Sequence, residues 1–186
     1  NGECGGNAVI DNCGVCGGDN LSCIFGCTYF GAENYNVDAT INDNSCEYYS
    51  GPVWNVSTTG SDVAPSGYGT ESAPFATIQK GIDSATEGDT VLVAAGTYIE
   101  NISFGNLNIV ILSLDGAGTT IIDGDESGSV ITLGGGEYEV SINGFTITNG
   151  SNDYGGGIRT GADQTLNLNN LIISNNHAVG SGGGIF

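Results

Sequence analysis

Positive charge is almost absent from this sequence of 186 residues. It contains 2 basic residues, Lys80 and Arg159, against 21 acidic ones, and its formal net charge at pH 7 is −19. Nucleic acids and anionic lipid surfaces are bound mainly through Lys and Arg side chains that meet phosphate groups. The composition therefore excludes both as partners. It favours a surface that is simply solvated or that meets divalent cations, high salt or cationic partners.

Long apolar runs are missing as well. No run approaches the roughly 18–20 residues that a membrane-spanning helix needs, and we expect no membrane insertion. The first residues contain neither the basic stretch nor the apolar core of a signal peptide. Because the chain begins at Asn1 inside a Cys-rich segment, we expect a processed or trimmed N-terminus.

Cysteine is absent beyond residue 46. The 6 cysteines are Cys4, Cys13, Cys16, Cys23, Cys27 and Cys46. An even number of cysteines in a short segment with few apolar residues predicts a disulfide framework, and hence an extracellular location. The alternative is zinc, because CGVC has ligand spacing, but the single histidine, His177, lies far from this segment. Many pairings are possible, and the sequence does not choose among them.

The composition changes near residue 50. Residues 1–50 are predicted to form a disulfide-stapled spacer module, because so small a segment buries too little apolar surface without cross-links. Residues 51–186 contain short aliphatic runs separated by Gly, Asn, Asp, Ser and Thr. Their clearest helix candidate spans residues 74–85, with Ile78 and Ile82 at helical spacing. Most other segments have the length and the β-branched residues of strands.

An internal repeat covers the end of the sequence. Residues 155–158, GGGI, recur at 182–185, an offset of 27. A second match has an offset of 26 and aligns Val140, Ile142, Phe145, Ile147 and Asn149 with Leu166, Leu168, Leu171, Ile173 and Asn175. Such a period, with short strands and no repeated helix, predicts a parallel β-helix whose coils stack about 4.8 Å apart. Asn149 would then lie over Asn175 in an amide ladder.

The two ends of the predicted β-helix differ. The helix at 74–85 is placed to cover the first coil, whereas SGGGIF at residues 181–186 begins a coil with no cap. Natural proteins cover open strand edges. We therefore expect either a longer polypeptide or a second subunit at this end, so that the partners are further copies of the chain or neighbouring subunits.

Residues 54–186 resemble bacterial secreted right-handed β-helix proteins of the pectate-lyase-like superfamily. The matching stretches are WNVSTTGSD, SAPFATIQKGIDSATEGDTVLVAAGTYIENISF, TTIIDG, INGFTITNGS and YGGGI. The resemblance implies an all-β fold, namely a right-handed parallel β-helix with an N-terminal capping helix, here preceded by the small disulfide-rich module. It leaves the activity open, because members include polysaccharide lyases, hydrolases, adhesins and surface proteins.

Residues 3–47 resemble Cys-rich repeats of very long secreted proteins of marine bacteria. The matching stretches are IDNCGVCGGDN and GCTYFGAENYNVDATINDNSCEY. The resemblance implies a spacer or stalk attached to a surface adhesin, at the bacterial cell surface. Some repeats of this kind have been suggested to bind calcium.

Calcium is the cofactor that the sequence itself favours. Asn36, Asp38 and Asp43 supply side-chain oxygens in a short Cys-bounded loop, and calcium is bound by six to eight oxygens, mostly from carboxylates, amides and carbonyls. The loop lacks the EF-hand pattern, and its residue types also form Asx-turns without any metal. A second acidic turn at residues 123–126 is a weaker candidate of the same kind.

No catalytic constellation is evident. β-Elimination needs a basic residue, and the candidate is Arg159, which lies between Asp153 and Asp163 in the sequence. Glycoside hydrolysis needs two paired carboxylates. The aligned coils stack asparagines and therefore do not supply such a pair. Tyr138 and Tyr154 either stack on sugars or cover the core. We therefore expect a non-enzymatic structural or adhesive extracellular module of a large bacterial surface or fibre-forming protein. The alternatives are a fragment of a polysaccharide lyase or glycoside hydrolase, and a calcium-dependent carbohydrate-binding module for surface polysaccharide.

Overall fold

The computed structural model describes residue 13 and residues 23–28, 32, 34–47, 50–63 and 68–186. The chain divides into two compact units, Asn1–Tyr49 and Ser50–Phe186. Within the described residues the fold is all-β with one helix, and every pairing between its strands is parallel. This confirms the predicted all-β class.

The N-terminal unit is held by disulfide bonds rather than by extended sheets. Its described strands, β1 (Phe25–Gly26) and β2 (Ile41–Asn42), have 2 residues each and pair in parallel. Disulfide bonds join Cys13 to Cys23 and Cys27 to Cys46. Cross-links restrict the unfolded chain and stabilise small units with little core. The predicted disulfides are thus confirmed for these four cysteines; Cys4 and Cys16 lie outside the described residues.

In the described residues of the second unit, short strands form four sheets. In chain order they are β3 (Val53–Val56), β4 (Thr90–Val93), β5 (Gly96–Ile99), β6 (Ile102–Phe104), β7 (Ile109–Ser113), β8 (Thr120–Asp123), β9 (Ile131–Leu133), β10 (Glu139–Asn143), β11 (Thr146–Thr148), β12 (Ser151–Tyr154), β13 (Ile158–Arg159), β14 (Thr165–Asn169), β15 (Ile172–Ser174) and β16 (His177–Ser181). Sheet I has the order β3-β4-β7-β10-β14, sheet II β5-β8-β11-β15, sheet III β6-β9-β13 and sheet IV β12-β16.

The chain visits these sheets in turn. From β4 onward it passes through sheets I, II and III, repeats the same order from β7, and repeats it again from β10 with β12 inserted before β13. Successive visits add a strand to the same side of each sheet. The strand order is therefore cyclic, although the sheets remain separate, and the right-handed β-helix itself stays a prediction.

The strand register confirms the repeat that was aligned by sequence. Val140 pairs with Leu166, and Ile147 pairs with Ile173, both at the offset of 26. A parallel bridge joins Ile158 to Ile185, at the offset of 27. Equivalent residues of successive repeats are therefore neighbours in the sheets.

The core of the second unit is formed mainly by alternate residues of the strands of sheets I to III that precede β14. In sheet I the alternate residues Val91, Ile111 and Ile142 pair in register and are completely buried. Along each of these strands, the residues that alternate with the buried ones face outward and are partly exposed to solvent. Alternation of this kind places one side of the sheet in the core, where burial of the aliphatic side chains stabilises the fold.

Helix α1 (Ile78–Ser84) is shorter than the predicted span of residues 74–85. Thr77 is the N-cap, and its side chain accepts a hydrogen bond from the Lys80 amide. Phe75 is extended instead of helical, because its N–H donates to the Asn55 carbonyl at 2.9 Å and so continues sheet I beyond β3. The helix contacts β3 and β4, which are the first two strands of sheet I, and β6, which is the first strand of sheet III.

Candidate functional site

The loop predicted to bind calcium is built from Asx-turns. The Asn36 Oδ1 accepts a hydrogen bond from the Asp38 N–H at 3.0 Å, and the Asp43 Oδ1 accepts one from the Ser45 N–H at 2.9 Å. Hydrogen bonds from the Ser45 side chain and backbone hold the pKa of Asp43 below its usual value. These oxygens therefore shape the turns, as such side chains do in the absence of a metal.

Clusters of typical metal-binding side chains do not occur at this loop. Among the residues that the structure describes, no group of three or more His, Cys, Asp or Glu side chains could hold a metal ion. The proposed ligands are two aspartates and one asparagine, a combination that differs from such a group. Calcium binding by Asn36, Asp38 and Asp43 stays a prediction.

The second acidic turn has a structural role at its first residue. Asp123 accepts hydrogen bonds from the Asp125 N–H and from the Asn149 side-chain amide, both at 2.9 Å. Asn149 and Asn175 follow the paired residues of β11 and β15 and share a positive φ, 58° and 56°. They occupy equivalent positions, as predicted, but the amide of Asn149 bonds to the carboxylate of Asp123 on the preceding strand.

The residues considered for catalysis lie on different elements. Asp153 is in β12 of sheet IV, Arg159 is in β13 of sheet III, and Asp163 follows β13. All three side chains are exposed. We derive no reaction from this arrangement.

Of the two tyrosines considered for sugar binding, one is part of the core. Tyr138 is 6% exposed and its hydroxyl donates to the Gly134 carbonyl at 2.8 Å, so the sugar-stacking alternative is wrong for this residue. Tyr154 is 46% exposed and lies against Phe186, which is 51% exposed, with 5.0 Å between the ring centroids. Exposed aromatic pairs present a large amphipathic contact area to ligands.

A cavity of about 440 Å³ lies on the outward side of sheet I. Its floor contains the outward-facing side chains of Leu92, Ala94 and Leu114. One wall is formed by the segment 71–74, which follows Gly69, whose carbonyl accepts a hydrogen bond from the Asn55 N–H at 2.8 Å. Small-molecule sites typically occupy about 300–1,000 Å³, so the cavity has the size of a ligand site.

The wall of this cavity is polar. Ser57, Thr59 and Ser72 bring hydroxyl groups to it, and Glu71 is the one charged residue in its lining. The glutamate is exposed to solvent. An aliphatic floor is thus combined with hydroxyl groups and a single carboxylate.

The N-terminus of α1 is capped by two carboxylates, Asp62 and Glu100, which the sequence did not predict. The Asp62 Oδ1 accepts from the Ala76 N–H at 2.7 Å, and Glu100 accepts from the N–H groups of Ile78 and Gln79 at 2.9 and 3.0 Å. Burial raises the pKa of Glu100 although these hydrogen bonds oppose it, and the charge of Asp62 adds to the rise. Both carboxylates satisfy amides that have no partner within the helix, so we assign them a structural role.

Comparisons with other proteins found no matching family model, no matching curated protein and no matching solved structure. Across the described part of the chain, no helix has the length and apolar character needed to cross a membrane.

Proposed function

We propose that residues 51–186 form a right-handed parallel β-helix of the pectate-lyase-like type. The observation that supports this most directly is the cyclic order of the strands, in which each round adds one in-register strand to sheets I, II and III. Pairs such as Val140 and Leu166 place like residues over like. Stacking of this kind extends one main-chain hydrogen-bond pattern through the length of the unit, as in other solenoid proteins.

The chain then serves as a structural or adhesive extracellular module of a large bacterial surface or fibre-forming protein. The disulfide bonds of the N-terminal unit support this proposal, because such bonds persist mainly in oxidising compartments. The net charge of −19 keeps like surfaces apart and favours solubility. Parallel sheets held in register suit a stiff shaft.

A specific observation favours surface polysaccharide as the ligand of an adhesive face. Tyr154 and Phe186 form an exposed aromatic pair, and Gly180 leaves room for it, since a Cβ there would lie 2.7 Å from the Tyr154 ring. Aromatic side chains with one apolar face and one polar group are common at binding surfaces. The proposed calcium ligands Asn36, Asp38 and Asp43 lie in the N-terminal unit, so calcium binding there is a separate proposal.

The test is a combined retention and turnover assay. The full chain is passed over immobilised neutral and acidic polysaccharides, once with calcium and once with a chelator, while new reducing ends and unsaturated uronates are measured. We expect retention without turnover, and weaker retention of Tyr154→Ala. The matched control is Ile99→Ala, because Ile99 is also exposed but lies in sheet II.

Turnover would contradict the proposal. If product formation survived repurification and were lost in Arg159→Ala or Asp153→Ala, the chain would be part of a polysaccharide-degrading enzyme. If neither turnover nor retention occurred, the adhesive function would be withdrawn and the shaft function kept.

A further inference from the structure

We infer that the cavity on the outward side of sheet I binds an alkylammonium group, of the kind that the lysine side chain of a partner protein carries. The inference does not depend on whether the second unit acts as a shaft or as an adhesive surface. It follows from the shape of the cavity, from its lining and from the charge of the chain.

The floor suits a chain of methylene groups. Leu92 lies in β4 on the outward side of the sheet, while Ala94 directly follows that strand. Leu114 directly follows β7, the neighbouring strand, and its side chain is largely exposed. An alkyl chain laid across these side chains would bury apolar surface on both partners, and such burial is the main source of favourable free energy in association. Lysine can bury its aliphatic stem while its charged end stays at the edge.

The wall suits the positively charged end. Glu71 provides a carboxylate there. The hydroxyl groups of Ser57 and Thr59 bond to each other, and that of Ser72 bonds to Thr70, so that the rest of the wall is polar and uncharged. An ammonium group has three N–H donors and no acceptor, so a carboxylate in a lining that also contains hydroxyl groups matches it. No basic residue occurs in the lining to compete for the carboxylate.

The charge of the whole chain acts in the same direction. A net charge of −19 attracts cations over distances of the order of the Debye length, about 8 Å at physiological ionic strength. It disfavours phosphate and carboxylate ligands at the same cavity. A neutral saccharide is less well matched, because no aromatic ring lines the floor.

The experiment uses the full chain labelled with ¹⁵N and the probe N-acetyl-lysine N-methylamide. Amide shifts are followed by NMR as the probe is added. We expect saturable shifts at Leu92, Ala94 and Leu114, and much smaller shifts with N-acetyl-norleucine N-methylamide, which has the alkyl chain without the ammonium group. Glu71→Gln should weaken binding by about two- to fivefold, the range expected for an exposed ion pair, and added salt should weaken it further.

The matched control is Glu137→Gln. Glu137 is exposed and does not line the cavity, and its replacement changes the net charge by the same amount as Glu71→Gln. If both variants weakened binding equally, the attraction would come from the overall charge, and the inference would be overturned. Shifts of equal size with the norleucine compound, an absence of shifts at the floor residues, or stronger shifts with a neutral oligosaccharide such as maltotriose would overturn it as well.

Discussion

At the scale of single residues, the buried carboxylate of Asp89 is a hydrogen-bond acceptor shared by Trp54 and Thr86. It is 5% exposed, and its Oδ2 accepts hydrogen bonds from the Trp54 indole N–H at 2.9 Å and from the Thr86 N–H and hydroxyl at 2.8 and 3.0 Å. Burial alone would raise its pKa, but the hydrogen bonds from Thr86 and Trp54 outweigh burial, and the pKa is lowered. The carboxylate is therefore charged at neutral pH, and its hydrogen bonds connect Trp54 in β3 to the turn that precedes β4.

We predict that Asp89→Asn destabilises the second unit by about 2 kcal/mol at neutral pH, because a hydrogen bond to a charged group contributes more than one to a neutral amide. The folded-state pKa lies below the ordinary value of 3.8, so the contribution is fully present above that pH. It is lost as the pH falls below 3.8 toward the folded-state pKa. Urea unfolding of both proteins between pH 7 and pH 3 should show the difference shrinking with acid.

Asp163→Asn is the matched control for this prediction. Asp163 is exposed and has a positive φ of 71°, which asparagine tolerates well. We expect this substitution to change the free energy of unfolding little at neutral pH, because the side chain is exposed. A constant difference between Asp89→Asn and the wild type down to pH 3 would show that packing, rather than ionisation, sets the cost.

At the scale of elements, the glycine triplet 155–157 forms a corner in which backbone lies on backbone. A Cβ at Gly156 would lie 2.2 Å from the His177 carbonyl oxygen, and a Cβ at Gly157 would lie 2.5 Å from that of Gly184. The amide of Gly156 also donates to the Gly182 carbonyl at 3.1 Å. Glycine is needed at this corner because a side chain would occupy the space of the next repeat.

We predict that Gly156→Ala destabilises the second unit by about 3 kcal/mol, at the upper end of overpacking costs, because neither backbone segment can move without breaking hydrogen bonds. Gly118→Ala is the control, since a Cβ there meets no atom within 4 Å and its φ is not positive. Thermal unfolding of the two variants measures the difference. Equal melting temperatures would contradict the close contact at the corner.

The repeat was predictable from sequence because it depends on positions that recur. Val140 and Leu166 match in type and spacing, and their pairing follows from that pattern. The bounds of α1 were not predictable in the same way. Asp62 and Glu100 bond to its first turn from 15 and 22 residues away, and no local pattern marks such partners. For the same reason the buried carboxylate of Asp89, 35 residues from Trp54, and the cavity beside Glu71 were not found by sequence.

At the scale of the whole unit, burial is uneven between the two sides of the stacked sheets. In β10, Val140 and Ile142 are completely buried, whereas Leu166 and Leu168, their partners in β14, are only half-buried. On the opposite side of sheet I the edge strand β3 bonds to Phe75 and packs against α1. Among the described residues, then, the covered side is that of β3, and the side formed by β14 and β15 presents partly exposed apolar side chains.

This asymmetry favours one kind of self-association over another. Head-to-tail stacking would have to displace the segment of Gly69 and Phe75 that bonds to the edge of β3, and it would continue into a filament. Contact between two β14 sides is isologous, and such a contact closes at two copies. We therefore predict a monomer–dimer equilibrium, in which added salt favours the dimer because it screens the net charge of −19 on each copy. Sedimentation over a range of concentrations, at low and high salt, measures it.

The dimer prediction is tested most sharply by placing a charge on the β14 side. Leu168→Asp should abolish the dimer at every salt concentration, because two buried carboxylates would face each other without partners. Ile99→Asp is the control, since it adds the same charge at an exposed position of β5, away from β14. If only monomers were found for the wild type at high salt, or if Leu168→Asp dimerised like the control, the β14 side would not be the contact, and the half-buried leucines would need another partner.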